Sequence, residues 1–332
     1  MKTARYYGIE DVRCEELPIP NCRENDVLIK VAYAGICGSD LHIYKKGMFI
    51  QNIPETMGHE FSGTIVKTGS KVHALQEGDR MTANPMVTCG SCIACRTGRR
   101  GSCETLGFIG EVRAGCFAEY IALPQEDVIK VPPDIDLKKL ALAEPLAVAL
   151  NICEQAKPAP TDNILIVGPG PIGLLTALAL KNVCGVKNLT LLGRSSARLT
   201  VAKTLGMKTA TQLADDAYFD LVIEAAGNET ALNTAIAHAL PGGKICVVSI
   251  FEDDLSFDIN TVVAKQISII GCNVYETRHI QEAAELLADG AIDPSPLVTD
   301  TYDLADCRDA FAALCSKDKK ACKILFQMED IK

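Results

Sequence analysis

The chain has 332 residues, 48% hydrophobic and 23% charged, with 42 acidic against 33 basic side chains for a net charge of −9. That length is a prior for two domains, and the composition is globular and sets disorder aside. An acidic chain with no basic patch argues against a nucleic-acid binder. Fifteen cysteines is a high and odd count, and no basic, apolar, small-residue leader opens the chain. Reduced thiols and metal ligands in a cytoplasmic protein are therefore expected, not a secreted disulfide framework. The longest uncharged stretch, 163–180, is interrupted by Gly168, Pro169, Gly170, Pro171 and Gly173, so no membrane span is expected.

Along the first 135 residues, short apolar runs such as 26–31, 61–66 and 117–123 alternate with Gly, Pro, Asn and Asp, a pattern of small, barrel-like β structure. From Leu137 the texture becomes Ala- and Leu-rich and helical, broken by Glu144-Pro145, until a boundary at 158–162. Beyond it, runs at 164–167, 189–192, 221–223, 245–248 and 267–270 read as strands buried on both faces. Helical segments fit at 171–183, 197–205 and 229–240. Strand–helix alternation of this kind predicts a parallel sheet covered by helices. Two amphipathic helices near 278–288 and 304–314 and a last apolar strand at 323–326 complete the chain.

Three sets of residues carry chemistry. Gly168-Pro169-Gly170-Pro171-Ile172-Gly173 follows a predicted strand and opens a predicted helix, the context in which a glycine-rich turn brings backbone to a pyrophosphate at a helix N-terminus. Twenty residues on, where an acid would read the adenosine ribose, stands Gly193, followed by Arg194, Ser195 and Arg198. These suit a 2′-phosphate through charge-assisted hydrogen bonds, the alternative being a solvated loop arginine. On this reading Gly193→Asp with Arg194→Leu is expected to reverse cofactor preference. Cys89, Cys92, Cys95 and Cys103 form a C-x2-C-x2-C-x7-C run that can close a tetrahedral zinc shell; an iron–sulfur run would place its fourth cysteine after three residues and before proline. Cys37, Ser39 and His42 end one predicted strand, and His59-Glu60 begin another, so a thiol, an imidazole and a carboxylate are available for an open zinc site.

On these motifs, with Gly58-His59-Glu60-x2-Gly63-x5-Gly69-x2-Val72, Cys37-Gly-Ser-Asp-Leu-His42 and Glu144-Pro-Leu146, the sequence resembles the zinc-containing medium-chain dehydrogenases over essentially its whole length, and within them the polyol dehydrogenase group. The resemblance implies an α/β protein: a discontinuous GroES-like β-barrel catalytic domain of residues 1–150 and 276–332, and a Rossmann doubly wound parallel-sheet domain of residues 151–275, with zinc and cofactor meeting in the cleft. Carried over by residue, Cys37 and His59 match catalytic zinc ligands and Glu60 a carboxylate ligand, while Glu144 occupies the place of a second ligand cysteine; which glutamate binds, or whether they exchange, stays open. Ser39 and His42 match a proton relay. The family's NAD enzymes carry Asp where this chain has Gly193, which supports NADP over NAD.

The expected function is interconversion of a secondary alcohol, a polyol or polyol phosphate, and its ketone, with two zinc ions per chain, one catalytic and one structural. A threonine or simple secondary-alcohol dehydrogenase, or a non-catalytic zinc- and dinucleotide-binding protein, are the alternatives. Arg113, Lys45 and Lys46 are the cations offered for a phosphorylated substrate. The resemblance implies a homodimer or homotetramer, with the apolar run 245–250 near the pairing edge.

Overall fold

The computed structural model describes residues 1–316 and 320–328. Two compact units divide the chain: one comprises Met1–Glu144 with 276–316 and 323–328, the other Pro145–Tyr275 with 320–322. The passage between them falls inside one helix, Ala143–Ala156. Among the described residues no helix is long and apolar enough to cross a membrane.

The first unit is built on a seven-stranded sheet whose middle is Asp26–Gly35. That strand pairs antiparallel with Glu60–Thr68 and Tyr120–Pro124, and on its other side with the last strand, Lys323–Gln327. Its pattern, almost entirely buried, reflects cover on both faces. Lys323–Gln327 runs parallel to Val298–Asp303, so this strand from late in the chain sits between Val298–Asp303 and the central strand Asp26–Gly35. Phe117 packs edge-on against Phe326 and Phe311, with ring centroids 5.0 and 6.3 Å away.

The second unit is a six-stranded parallel sheet. Numbered in chain order, Asn163–Val167, Asn188–Leu192, Lys208–Ala210, Phe219–Glu224, Ala239–Val247 and Ser268–Gly271 lie in the order 3-2-1-4-5-6, which leaves a switch point at the carboxyl ends of the first and fourth strands where dinucleotides bind. Helices Pro171–Asn182, Ser196–Thr204 and Glu229–His238 occupy the segments expected of them. The sequence pattern overlooked the strand Lys208–Ala210 and the helix Ile259–Lys265, both too short for a periodic signal. One expectation fails. The run at 267–270 is not buried on both faces: Ser268, Ile269 and Gly271 are exposed because this strand forms the sheet's edge, and 245–247 lie one strand inward.

The cysteine loop is fastened to the first unit by Glu276, which caps the helix Thr277–Ala288. Its carboxylate accepts from the amides of Arg100 at 3.1 Å and Gly101 at 3.2 Å. Hydrogen bonds to a charged acceptor are worth about 1.5–3 kcal/mol each when dry, and less at this half-buried position. Glu276→Ala is expected to cost about 1–2 kcal/mol in urea unfolding and to speed amide exchange selectively at Arg100 and Gly101; unchanged exchange there would separate the loop from this anchor.

Candidate active site

Sheet register explains why residues so far apart meet. Gly35 stands opposite Glu60 in one ladder and opposite Leu325 in the other. Cys37, just past the end of Asp26–Gly35, is thereby carried to His59 and Glu60 at the start of the neighbouring strand, and Lys323 approaches from the far side. Ligand atoms of Cys37, His59 and Glu60 all lie within 4.8 Å of one another. A Cβ on Gly35 would collide with Glu60 Oε2 and Lys323 Cε, so glycine is needed there for space.

Cys37 also caps the helix Gly38–Lys46, its amide donating to Asp40 Oδ2 at 2.8 Å. The same turn directs Asp40 Oδ1 to 3.9 Å from His59 Nδ1. The other ring nitrogen, Nε2, lies 3.5 Å from the Ser39 hydroxyl. His42 follows one turn later on the same side of the helix. Phe108 walls the imidazole, with ring centroids 5.3 Å apart.

Charge is the outstanding property of the site. Asp40, Glu60, Glu111 and Glu144 are all buried, and the fully buried Lys323 pairs with one of them, its ammonium donating to Glu60 Oε2 and, at 2.9 Å, to the carbonyl of Ile36. Burial pushes the carboxyls of Asp40 and Glu111 up, and burial followed by the Glu60 charge does the same to the Cys37 thiol. Burial opposes charge on His59, but Cys37 and Asp40 outweigh it and hold the imidazole well above its ordinary value. Lys323 is likewise raised: its burial opposes the charge, and Glu60 and Cys37 more than offset it. Glu60 Oε1, Asp40 Oδ1 and His59 Nδ1 are buried without a hydrogen-bond partner. Glu144 lies outside the tight ligand group yet acts electrostatically on both His59 and Lys323. Acid-rich, with nitrogen and sulfur donors and orphaned oxygen, this donor set fits a divalent ion such as zinc.

The four cysteines also converge, all sulfurs within 4.8 Å, and none forms a disulfide. Backbone amides point at the sulfurs: Cys92 donates to Cys89 at 3.3 Å, Cys95 to Cys92 at 3.4 Å and Cys89 to Cys103 at 3.4 Å. Amides of Ser91 and Cys92 pull the Cys89 thiol down to about 5, whereas desolvation and the neighbouring sulfurs push Cys95 up to about 12.

In the second unit Gly168 has a φ of 117° and a Cβ there would strike the Ala225 carbonyl, while a Cβ on Gly173 would overlap the Gly168 carbonyl. Gly170 then caps the helix that begins at Pro171, leaving Ile172 and Gly173 in its first turn. Ser195 caps the helix Ser196–Thr204 by accepting from the Arg198 amide. Arg198 Nε donates to the Ala321 carbonyl at 3.2 Å, and its Nη1 lies 3.9 Å from where a Cβ on Gly170 would stand. Arg194 is exposed beside Gly193. Of the cations offered for phosphate, Arg113 lies 3.4 Å from Asp127. Lys45 and Lys46 close the last turn of the helix whose other end is Cys37, about 12 Å along the axis.

Residues 23–133 match the alcohol dehydrogenase GroES-like domain, and residues 171–289 the zinc-binding dehydrogenase domain. A sorbitol dehydrogenase of Bacillus subtilis is 31% identical over 98% of this chain and 96% of its own. The chain belongs to the zinc-containing medium-chain dehydrogenases, in their polyol dehydrogenase group. Two solved medium-chain relatives share its fold. An alcohol dehydrogenase of E. coli CFT073 complexed with NADH has a TM-score of 0.91 and 29% identity, covering 98% of this chain and 99% of that one. A zinc-binding dehydrogenase of Sinorhizobium meliloti 1021 bound to NADP has a TM-score of 0.91 and 27% identity, covering 98% of each chain.

Reading the medium-chain dehydrogenase motifs alone overlooks Lys323, Glu111 and Phe108. Lys323 sits in an apolar run that signals only a strand; its one flag is a lysine at the start of a buried strand. Removing one partner of a buried pair costs about 3–5 kcal/mol. Lys323→Met should therefore destabilise chelator-treated protein by about that amount, with Glu60→Gln in the same background restoring part of it. A loss below about 1 kcal/mol would place the pair in a wetter setting than its burial indicates.

Proposed function

We propose that this medium-chain dehydrogenase interconverts an unphosphorylated secondary alcohol of the polyol class and its ketone, with NADP(H) as the preferred dinucleotide. The observation that carries the reading is the excess of acid at the site: four buried carboxylates and the half-buried Cys37 thiol against one buried lysine and one imidazole. That balance attracts a divalent ion and repels a phosphate dianion, and neither Lys45, Lys46 nor Arg113 offsets it.

Cys37, His59 and Glu60 would hold the catalytic zinc, with Glu144 as the carboxylate available to exchange with Glu60; Cys89, Cys92, Cys95 and Cys103 would hold the structural one. Zinc bound at the first site supplies Lewis acidity that lowers the pKa of an alcohol hydroxyl. The Ser39 hydroxyl, 3.5 Å from His59 Nε2, would take the proton and hand it to His42 on the next turn, which is only half-buried. Lys323 keeps Glu60 oriented, and Phe108 walls off water. On the second unit the Gly168–Gly173 turn and helix N-terminus receive the pyrophosphate, and Arg194, Ser195 and Arg198 receive the 2′-phosphate. A nicotinamide dinucleotide held there would supply the hydride acceptor. Pairing of copies through the exposed edge Ser268–Gly271, with Ile269 at its centre, gives the dimer or tetramer.

Kinetics with polyols, polyol phosphates, threonine and simple alcohols, each with both dinucleotides, test this reading. The expected result is the highest kcat/KM for an unphosphorylated polyol with NADP, and loss of turnover in Ser39→Ala with metal content unchanged. Preference for a phosphorylated substrate or for NAD contradicts the corresponding part. For the cysteine loop, zinc must displace a proton from Cys95 but not from Cys89, so its apparent affinity should fall as pH is lowered from about 8 to about 6. A pH-independent affinity would contradict that proton count.

A further inference from the structure

Gly193 is the residue on which the cofactor reading turns, and its backbone does not require glycine. Its φ lies outside the left-handed region, and its amide makes an ordinary 3.0 Å hydrogen bond to the Ala210 carbonyl. What forbids a side chain is Pro169. A Cβ at 193 would fall inside 3.0 Å of both Cγ and Cδ of the proline ring and 3.4 Å from its Cβ. The ring cannot turn aside, because it has no free rotamer and its backbone is fixed on both sides. Gly168 before it is packed on Ala225 in a positive-φ conformation, and Gly170 after it caps the helix.

We propose that Pro169 is a specificity-determining residue for the dinucleotide. By filling the space over position 193 it keeps out the acid that would read a ribose, and so leaves the 2′ position to Arg194, Ser195 and Arg198. Arg198 is already fastened alongside the glycine turn through its bond to Ala321. This inference rests on the NADP reading above. It also alters the expectation drawn from sequence: Gly193→Asp with Arg194→Leu is insufficient to reverse the preference, since the new carboxylate has no room until position 169 is cut back.

The test is a double-mutant cycle on the full-length protein, Pro169→Ala against Gly193→Asp, with dissociation constants for NADP and NAD by titration calorimetry and thermal midpoints for each variant. Gly193→Asp alone is expected to lower the midpoint and weaken both dinucleotides. The double variant should recover the midpoint and shift the ratio of the two constants toward NAD by at least about tenfold relative to that single variant. Should Gly193→Asp fail to fold, Gly193→Ala decides on stability alone: its methyl group should lower the midpoint when Pro169 is present and not when it is alanine. Additive effects at 169 and 193, with the wild type favouring NADP, would overturn the role of Pro169 while leaving the cofactor reading intact. A wild type that binds NAD more tightly would overturn the cofactor reading, and the selectivity claim with it.

Discussion

Four buried carboxylates beside the half-buried Cys37 thiol, with one buried lysine paired to Glu60, are costly to fold, and the first unit is organised about that cost. Each ion removed from water loses several kcal/mol of solvation unless neighbours replace it. Lys323 compensates Glu60, and the helix cap satisfies one oxygen of Asp40, yet one oxygen on each of these acids stays unpaired. The groups are held in place by the sheet, through the pairing of Gly35 with Glu60 and with Leu325. A fold that maintains such an arrangement is preorganised for a divalent ion, because binding one relieves the repulsion that folding imposes.

The same register makes the chain's ends interdependent. Lys323 reaches Glu60 only because the final strand inserts between Asp26–Gly35 and Val298–Asp303. Losing that strand removes the counter-charge and uncovers the central strand together. The site is thus completed by the last segment of the first unit, after the chain has built most of the second unit.

Much of this was legible before the fold was known, where the signal was local. The glycine turn between strand and helix, the cysteine run and the Cys37 and His59-Glu60 segments each advertise themselves through spacing within a few residues. Strand–helix alternation likewise gave the parallel sheet. What escaped was what depends on long-range pairing. Lys323 is one letter of an apolar strand until that strand's neighbour is known, and Glu111 is an unremarkable loop acid until His59 and Asp40 are placed beside it. The run 267–270 has the composition of a buried strand, and only its place in the strand order exposes it. Gly193 showed the absence of an acid, but the reason, a proline ring packed over it, is a distance between residues 24 positions apart in sequence (193 − 169 = 24).

Sheet register brings Cys37, His59 and Glu60 together within this acid cluster, where they would hold a metal ion. Anomalous diffraction at the zinc absorption edge from crystals of zinc-loaded protein tests this most directly. The predicted result is a peak bounded by Cys37 Sγ, His59 Nε2 and the Glu60 carboxylate, separate from any peak among the four cysteines. Density confined to the cysteine loop, with Lys323 and Glu60 still paired and no peak between Cys37 and His59, would contradict it.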